Sequence, residues 1–288
     1  MHTAVKEGKP QAKRKLSNVL VPVLLVLAGL CVLLYPVVAT QWNNIRQTRV
    51  ADAYAKYENT VPAEVINREL EDALRYNEHR KETAVADPWS GTIDERSTSY
   101  QEYLKQLDSY EAMARLVVPQ AQVNLPIYHG TSHPVLQKGV GHLFGTDLPV
   151  GGESRHAVLT GHTGLQNATL FDNLKNVKVG DAIYVQAGGQ RMKYQVYRID
   201  TVLPTEVDSL KRVDRKDLIT LITCTPYGIN SHRLLVHAER VPMDPSDNKY
   251  FEESSFHWQW WMWAILIGSA IVLILLILWI RHMLRRNK

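Results

Sequence analysis

Cys224 ends the run Thr220-Leu221-Ile222-Thr223-Cys224 and is followed by Thr225-Pro226-Tyr227-Gly228. The chain has two cysteines, and the other, Cys31, sits inside a long apolar stretch, so Cys224 is the thiol placed for water-facing chemistry. A lone thiolate is both a good nucleophile and a good leaving group, which suits acyl transfer. That chemistry also needs a proton donor for a departing amine and a partner for the developing oxyanion. Histidine fits the first role through its near-neutral pKa, and arginine fits the second through its permanently charged planar fork. His162, between Gly161 and Gly164, follows the apolar run His156–Thr160, and Arg233 stands nine residues after Cys224. Among eleven histidines, His142 and His232 compete with His162 on residue chemistry alone. Thr223 is either a contributor to the oxyanion site or a β-branched strand residue.

These residues need a scaffold. Short β-branched or alternating runs predict strands at Leu116–Val118, Val123–Tyr128, His156–Thr160, Asp181–Gln186, Met192–Ile199, Leu218–Thr223 and Arg233–Val241, separated by turn residues. Many short strands at this spacing predict a barrel or sandwich rather than alternating βαβ units. The turn Pro226-Tyr227-Gly228 would fold the strand of Arg233 back antiparallel to that of Cys224. Upstream, residues 42–81 carry helical periodicity interrupted at Pro62, and Thr83 to Ser99 reads as irregular from its Pro, Gly and Ser content.

Two apolar runs frame the chain, at residues 19–39 and 258–280, each close to the roughly 20 residues that cross a bilayer as a helix. Trp258, Trp260, Trp261 and Trp263 open the second, as in an interfacial aromatic belt. Lys6, Lys9, Lys13, Arg14 and Lys15 precede the first run, and Arg281, Arg285, Arg286 and Lys288 follow the second. The positive-inside rule therefore places both tails in the cytoplasm and residues 41–257 on the outer side of the plasma membrane. The competing reading of the first run is a cleaved signal peptide, suggested by Val37-Val38-Ala39.

Setting aside those nine bases and Glu7 leaves 24 basic and 28 acidic residues, net −4, from the 33 and 29 of the whole chain. Nucleic-acid binding thus loses its electrostatic argument. With one cysteine outside the membrane runs there is no disulfide framework and no cysteine-based zinc site. The expected layout is a tail at 1–18, a span at 19–39, helices and an irregular segment over 40–112, a strand-rich domain at 113–245, a linker at 246–257, a span at 258–280 and a tail at 281–288.

The motifs resemble a known family. Thr220-Leu221-Ile222-Thr223-Cys224 matches the TLxTC signature of sortases, and Leu159-Thr160-Gly161-His162 is similar to their catalytic-histidine segment. Thr225 through Val236, Leu125 through Thr131 and Gly139 through Leu143 resemble the class C, pilus-assembling branch. The resemblance covers about residues 113–240. It implies a mainly β fold, a closed sortase-type β-barrel with N-terminal helices and two transmembrane helices, in a Gram-positive cell envelope. It implies a catalytic Cys224, His162 and Arg233 and a lid at about 83–99, in which Asp87 pairs with Arg233 and Trp89 covers Cys224.

The activity implied is that of a cysteine transpeptidase. It cleaves an LPxTG-like sorting signal at Thr–Gly through a thioacyl intermediate and joins pilin subunits through an acceptor lysine. Neither a metal nor an organic cofactor is implied. Thr163 and Gln166 depart from the Arg and Pro common after the histidine, and His237-Ala238 from a common Arg-Gly. Three alternatives stand beside this reading: an anchoring sortase using a peptidoglycan-precursor amine, a non-catalytic scaffold for pilin assembly, and a hydrolase.

Overall fold

The computed structural model describes residues 11–80, 86–89, 93–252 and 258–286. Backbone contacts gather residues 42–256 into one compact unit, while the stretch up to residue 41 and that from 257 onward form another. In the latter, α1 (Gln11–Thr60) begins and α6 (Trp260–Arg286) runs, both long and apolar enough to cross a bilayer. Most of their large apolar side chains are exposed, among them Leu25, Val32, Leu275 and Leu278. Such a coat suits lipid, in which a helix pairs most of its backbone polar groups within itself. Gln41 Nε2 donates to Met262 Sδ at 3.2 Å, and Leu30, Val37 and Met262 are buried. The apolar run and the periodic segment after it, read separately from the sequence, belong to one helix that ends at Thr60.

In the larger unit α1 gives way to α2 (Ala63–His79) at Pro62, whose ring cannot continue a helix from the preceding turn. Asn77 of α2 is buried and exchanges two hydrogen bonds with the backbone of Leu148, at 2.7 and 3.1 Å, seating the helix on the barrel. A short helix, α3 (Thr98–Leu104), follows, capped by the Ser97 side chain. Of the stretch read as irregular, residues 83–85 and 90–92 lie outside the described residues. Asp87 to Trp89 forms a turn, and the expected irregularity ends where α3 begins.

The strands are β1 (Ala114–Val118), β2 (Val123–His129), β3 (Val140–His142), β4 (Arg155–Thr160), β5 (Ala182–Ala187), β6 (Gln190–Val202), β7 (Asp217–Thr225) and β8 (His232–Val241), with α4 (His133–Lys138) between β2 and β3. They close into a barrel in the order β1-β2-β3-β4-β7-β8-β6-β5, as the family resemblance implies. A last short helix, α5 (Lys249–Glu252), packs Phe251 against Tyr184. Seven of the eight strands coincide with predicted runs, whereas β3, three residues long with a central glycine, carries no periodic signal.

Alternation gives β7 two faces. Ile219 and Leu221 join the main core with Leu116, Ile127, Leu159, Met192 and Val236. The opposite face carries Thr220, Ile222 and Cys224, and Ile222 packs in a second cluster with Leu143, Val158, Leu210 and Leu235. Both faces are therefore covered, which explains why β7 reads as a continuous rather than alternating run. Asp147, buried before β4, accepts from Arg80 Nε at 2.9 Å, Arg212 Nε at 2.8 Å and the His156 N–H at 2.9 Å. These bonds fix the start of β4, and with it the strand that delivers His162.

Candidate active site

β7 and β8 form the antiparallel hairpin expected from Pro226-Tyr227-Gly228, and Cys224 is directly opposite Arg233. On the same face Ile222 faces Leu235 and Thr220 faces His237. The Arg233 guanidinium is steadied by two nearby backbone carbonyls, with Nη1 donating to Asn230 O and His232 O at 3.1 Å each. Parallel pairing of β4 with β7 puts Thr160 opposite Ile222, and Gly161 N extends the ladder to Ile222 O at 3.1 Å. Continuing that register by two residues sets His162 level with Cys224. The three residues singled out from the sequence thus meet at one end of three adjacent strands.

The loop holding His162 is tied on several sides. Thr223 Oγ1 donates to Gly161 O at 2.7 Å and lies 2.5 Å from Thr163 Oγ1. The Thr223 hydroxyl is therefore engaged with the histidine loop. Phe171 N donates to His162 O, and Gly164 N to Asp172 Oδ1 at 2.7 Å. From α1, Asn44 exchanges two hydrogen bonds with Thr169, at 2.8 and 3.0 Å, and Asn43 donates to Asn167 O. Gly161 is required by packing, because a Cβ there would meet the Phe171 ring at 2.7 Å.

Asp87 and Trp89 lie against Arg233 and His162. Arg233 donates from Nε to Asp87 Oδ1 at 2.6 Å and from Nη2 to Oδ2 at 3.0 Å, a charge-assisted bidentate pair. The Trp89 ring lies 4.7 Å from the same guanidinium, a cation–π distance, and its indole N–H donates to His162 Nδ1 at 3.3 Å. The rest of the ring packs on the apolar cluster that contains Ile222 and Leu235. One tripeptide thus engages both Arg233 and His162, and Cys224 is 8% exposed.

Burial pushes the Cys224 thiol up, Arg233 pulls it down and the Asp87 carboxylate pushes it up again, with a net rise. His162 is held below its ordinary value by burial and then by the neighbouring His133. Both shifts favour a neutral thiol and a neutral imidazole while Asp87 and Trp89 are in place. His162 Nε2 is buried without a partner among the described residues, which leaves that nitrogen for reaction chemistry.

The rival histidines have other roles. His142 is fully buried, its Nδ1 3.0 Å from Tyr103 Oη and its Nε2 2.7 Å from Asp147 O, and burial lowers it to about 4. His232 pairs with Ser231 at 2.8 Å. His237 is buried beside Thr220, Arg198 and Asp200, at the other end of the face that carries Cys224. Sequence reading missed His133, whose ring stands 6.2 Å from that of His162, because α4 carries no periodic signal long enough to be predicted. The described residues hold no cluster of histidine, cysteine, aspartate or glutamate suited to a metal.

A family model of the sortase domain matches residues 116–241. Sortase C-1 of Actinomyces oris, a solved structure, is 54% identical over 62% of this chain and 99% of its own, with a TM-score of 0.61. The chain belongs to the sortase family. Sortase A of Corynebacterium diphtheriae is 45% identical over 73% of this sortase and 100% of its own chain, with a TM-score of 0.64, and a lid mutant of it has also been solved. Sortase A of Streptococcus agalactiae matches at 29% over 127 residues, 43% of this chain and 51% of that protein. The chain therefore spans about half the length of that curated relative.

Proposed function

We propose that this sortase is a membrane-held class C transpeptidase that polymerises pilins. The observation that carries the reading is the paired hold of Asp87 and Trp89 on Arg233 and His162, beside a cysteine level with both. Two apolar helices and the basic residues beyond them support a plasma-membrane enzyme with two spans, cytoplasmic ends and an extracellular barrel at 113–245. The reaction begins when Asp87 releases Arg233 and the Cys224 thiol passes its proton to His162. Cys224 then attacks the Thr–Gly carbonyl of an LPxTG-like signal, and Arg233 hydrogen-bonds the oxygen as it gains charge. His162 protonates the leaving glycine amine, and a lysine amine of a second pilin resolves the thioacyl enzyme into an isopeptide bond. Thr223 serves as a positioning residue, holding the His162 loop on β7 through Gly161 and Thr163.

The test offers the detergent-solubilised full chain an LPxTG peptide together with a lysine-bearing pilin peptide and an oligoglycine amine. A lysine-linked product in excess is the expected result. Preference for the oligoglycine amine would instead favour an anchoring sortase, and release of free acid alone a hydrolase.

A further inference from the structure

His162 has a second imidazole for a neighbour. The His133 ring presents itself edge-on, with centroids 6.2 Å apart and planes at 76°. It stands at the start of α4, which is anchored from below by Leu136, 1% exposed and packed against Gly141 of β3. His133 itself is exposed, so a second substrate arriving from solvent can reach it. Its charge is among the influences that depress His162, so the two rings also sense one another electrostatically.

The acyl-transfer reading creates a proton problem that His162 alone does not solve. A lysine acceptor arrives as an ammonium, and at neutral pH only on the order of one in 10³ such groups is the free amine. Becoming an amide N–H costs that nitrogen two protons. His162 gives one proton to the first leaving amine, which leaves it neutral and able to take one back. The other proton needs a second base.

We infer that His133 is that base, a catalytic residue for the acceptor half of the reaction. This inference rests on the transfer of the acyl group to lysine proposed above. His133 takes one proton from the lysine ammonium as it nears the thioester. The freed amine forms the C–N bond at the thioacyl carbon, the C–S bond then breaks, and the electron pair returns to Cys224 as thiolate. The second nitrogen proton passes to His162, restoring its imidazolium, and His133 releases its own proton to solvent. Neither redox change nor co-reactant is involved.

The experiment uses the full chain in detergent, as wild type, His133→Gln and His133→Asn. Thioacyl enzyme is formed from an LPxTG peptide, and its decay is timed with a lysine-bearing peptide or with hydroxylamine, which is largely uncharged at neutral pH. Only acylated enzyme is counted, so any misfolded fraction drops out. The ratio of lysine to hydroxylamine rate constants is expected to fall about 10–100-fold in both variants. A lysine reaction in the wild type with an unchanged ratio in the variants would overturn the role of His133 and leave the transpeptidase reading standing. Failure of the wild type to transfer to lysine, with hydroxylamine still reacting, would overturn both.

Discussion

Asp87 holds Arg233 through both carboxylate oxygens, at 2.6 Å and 3.0 Å, and the pair lies beside the residue that faces Arg233 across the hairpin, Cys224. The carboxylate occupies the donors that a substrate oxygen would need. It also raises the thiol pKa by repulsion, so it restrains two of the three reacting groups at once. In the proposed reaction, substrate therefore favours a state in which Asp87 has left, and the energy it supplies sets the fraction of open enzyme.

Removing either lid contact should expose the thiol. Asp87→Ala and Trp89→Ala are each expected to speed alkylation of Cys224 by a methanethiosulfonate about 10–100-fold, as for an equilibrium shift of about 1.4–2.8 kcal/mol. The pH midpoint of alkylation should also fall, because both burial and Asp87 push the thiol up in the closed site. Rates and midpoints equal to wild type in both variants would count against the lid.

Arg233→Lys keeps the charge and loses the fork. A lysine ammonium cannot pair with both oxygens of Asp87, nor can it place two donors in a plane beside Cys224. Acyl-enzyme formation should drop about 10²–10³-fold, the usual consequence of losing an oxyanion donor. Cys224 alkylation in the same variant should remain at least as fast as in wild type. Acylation by Arg233→Lys at the wild-type rate would remove Arg233 from the reaction.

Asp172 offers a test of the histidine loop by pH. Burial raises its carboxyl to about 6, and its Oδ1 accepts from Gly164 N. A carboxyl whose folded pKa lies above its unfolded one stabilises the fold fully below the unfolded value, near 4, and that contribution is lost as pH rises through about 6. Asp172→Asn retains an oxygen for Gly164 without the charge. It should raise stability by about 1 kcal/mol at pH 7 to 8, after allowance for partial solvent screening, and by nothing below pH 4. Melting curves at the two pH values check this, and equal effects at both would be the contrary result.

Much of this architecture could be read from residues, and the exceptions share a cause. The β7–β8 hairpin declared itself through a β-branched run, a Pro-Tyr-Gly turn and a second run, so the approach of Arg233 to Cys224 followed from local rules. The closed barrel followed from strand spacing together with motif resemblance. β3 escaped because its place depends on Gly141 fitting against Gly130 O and Leu136, contacts that leave no mark in a three-residue string. The bonds of Asn44 to Thr169 and of Trp89 to His162, and the ring of His133, likewise depend on segments far apart in sequence. Choosing among the histidines needed either motif resemblance or burial. His142 looks as reactive as His162 until its two ring nitrogens are found engaged in the core.

Formation of a thioacyl enzyme on Cys224, at a site gated by Asp87 and Trp89, is the step on which the proposed function turns. Intact mass measurement of the full chain with an LPxTG peptide, and no amine acceptor, tests it most directly in wild type, Cys224→Ala, Asp87→Ala and Trp89→Ala. An adduct is expected in the wild type, a larger one in each lid variant and none in Cys224→Ala. An adduct of equal size in Cys224→Ala would contradict it.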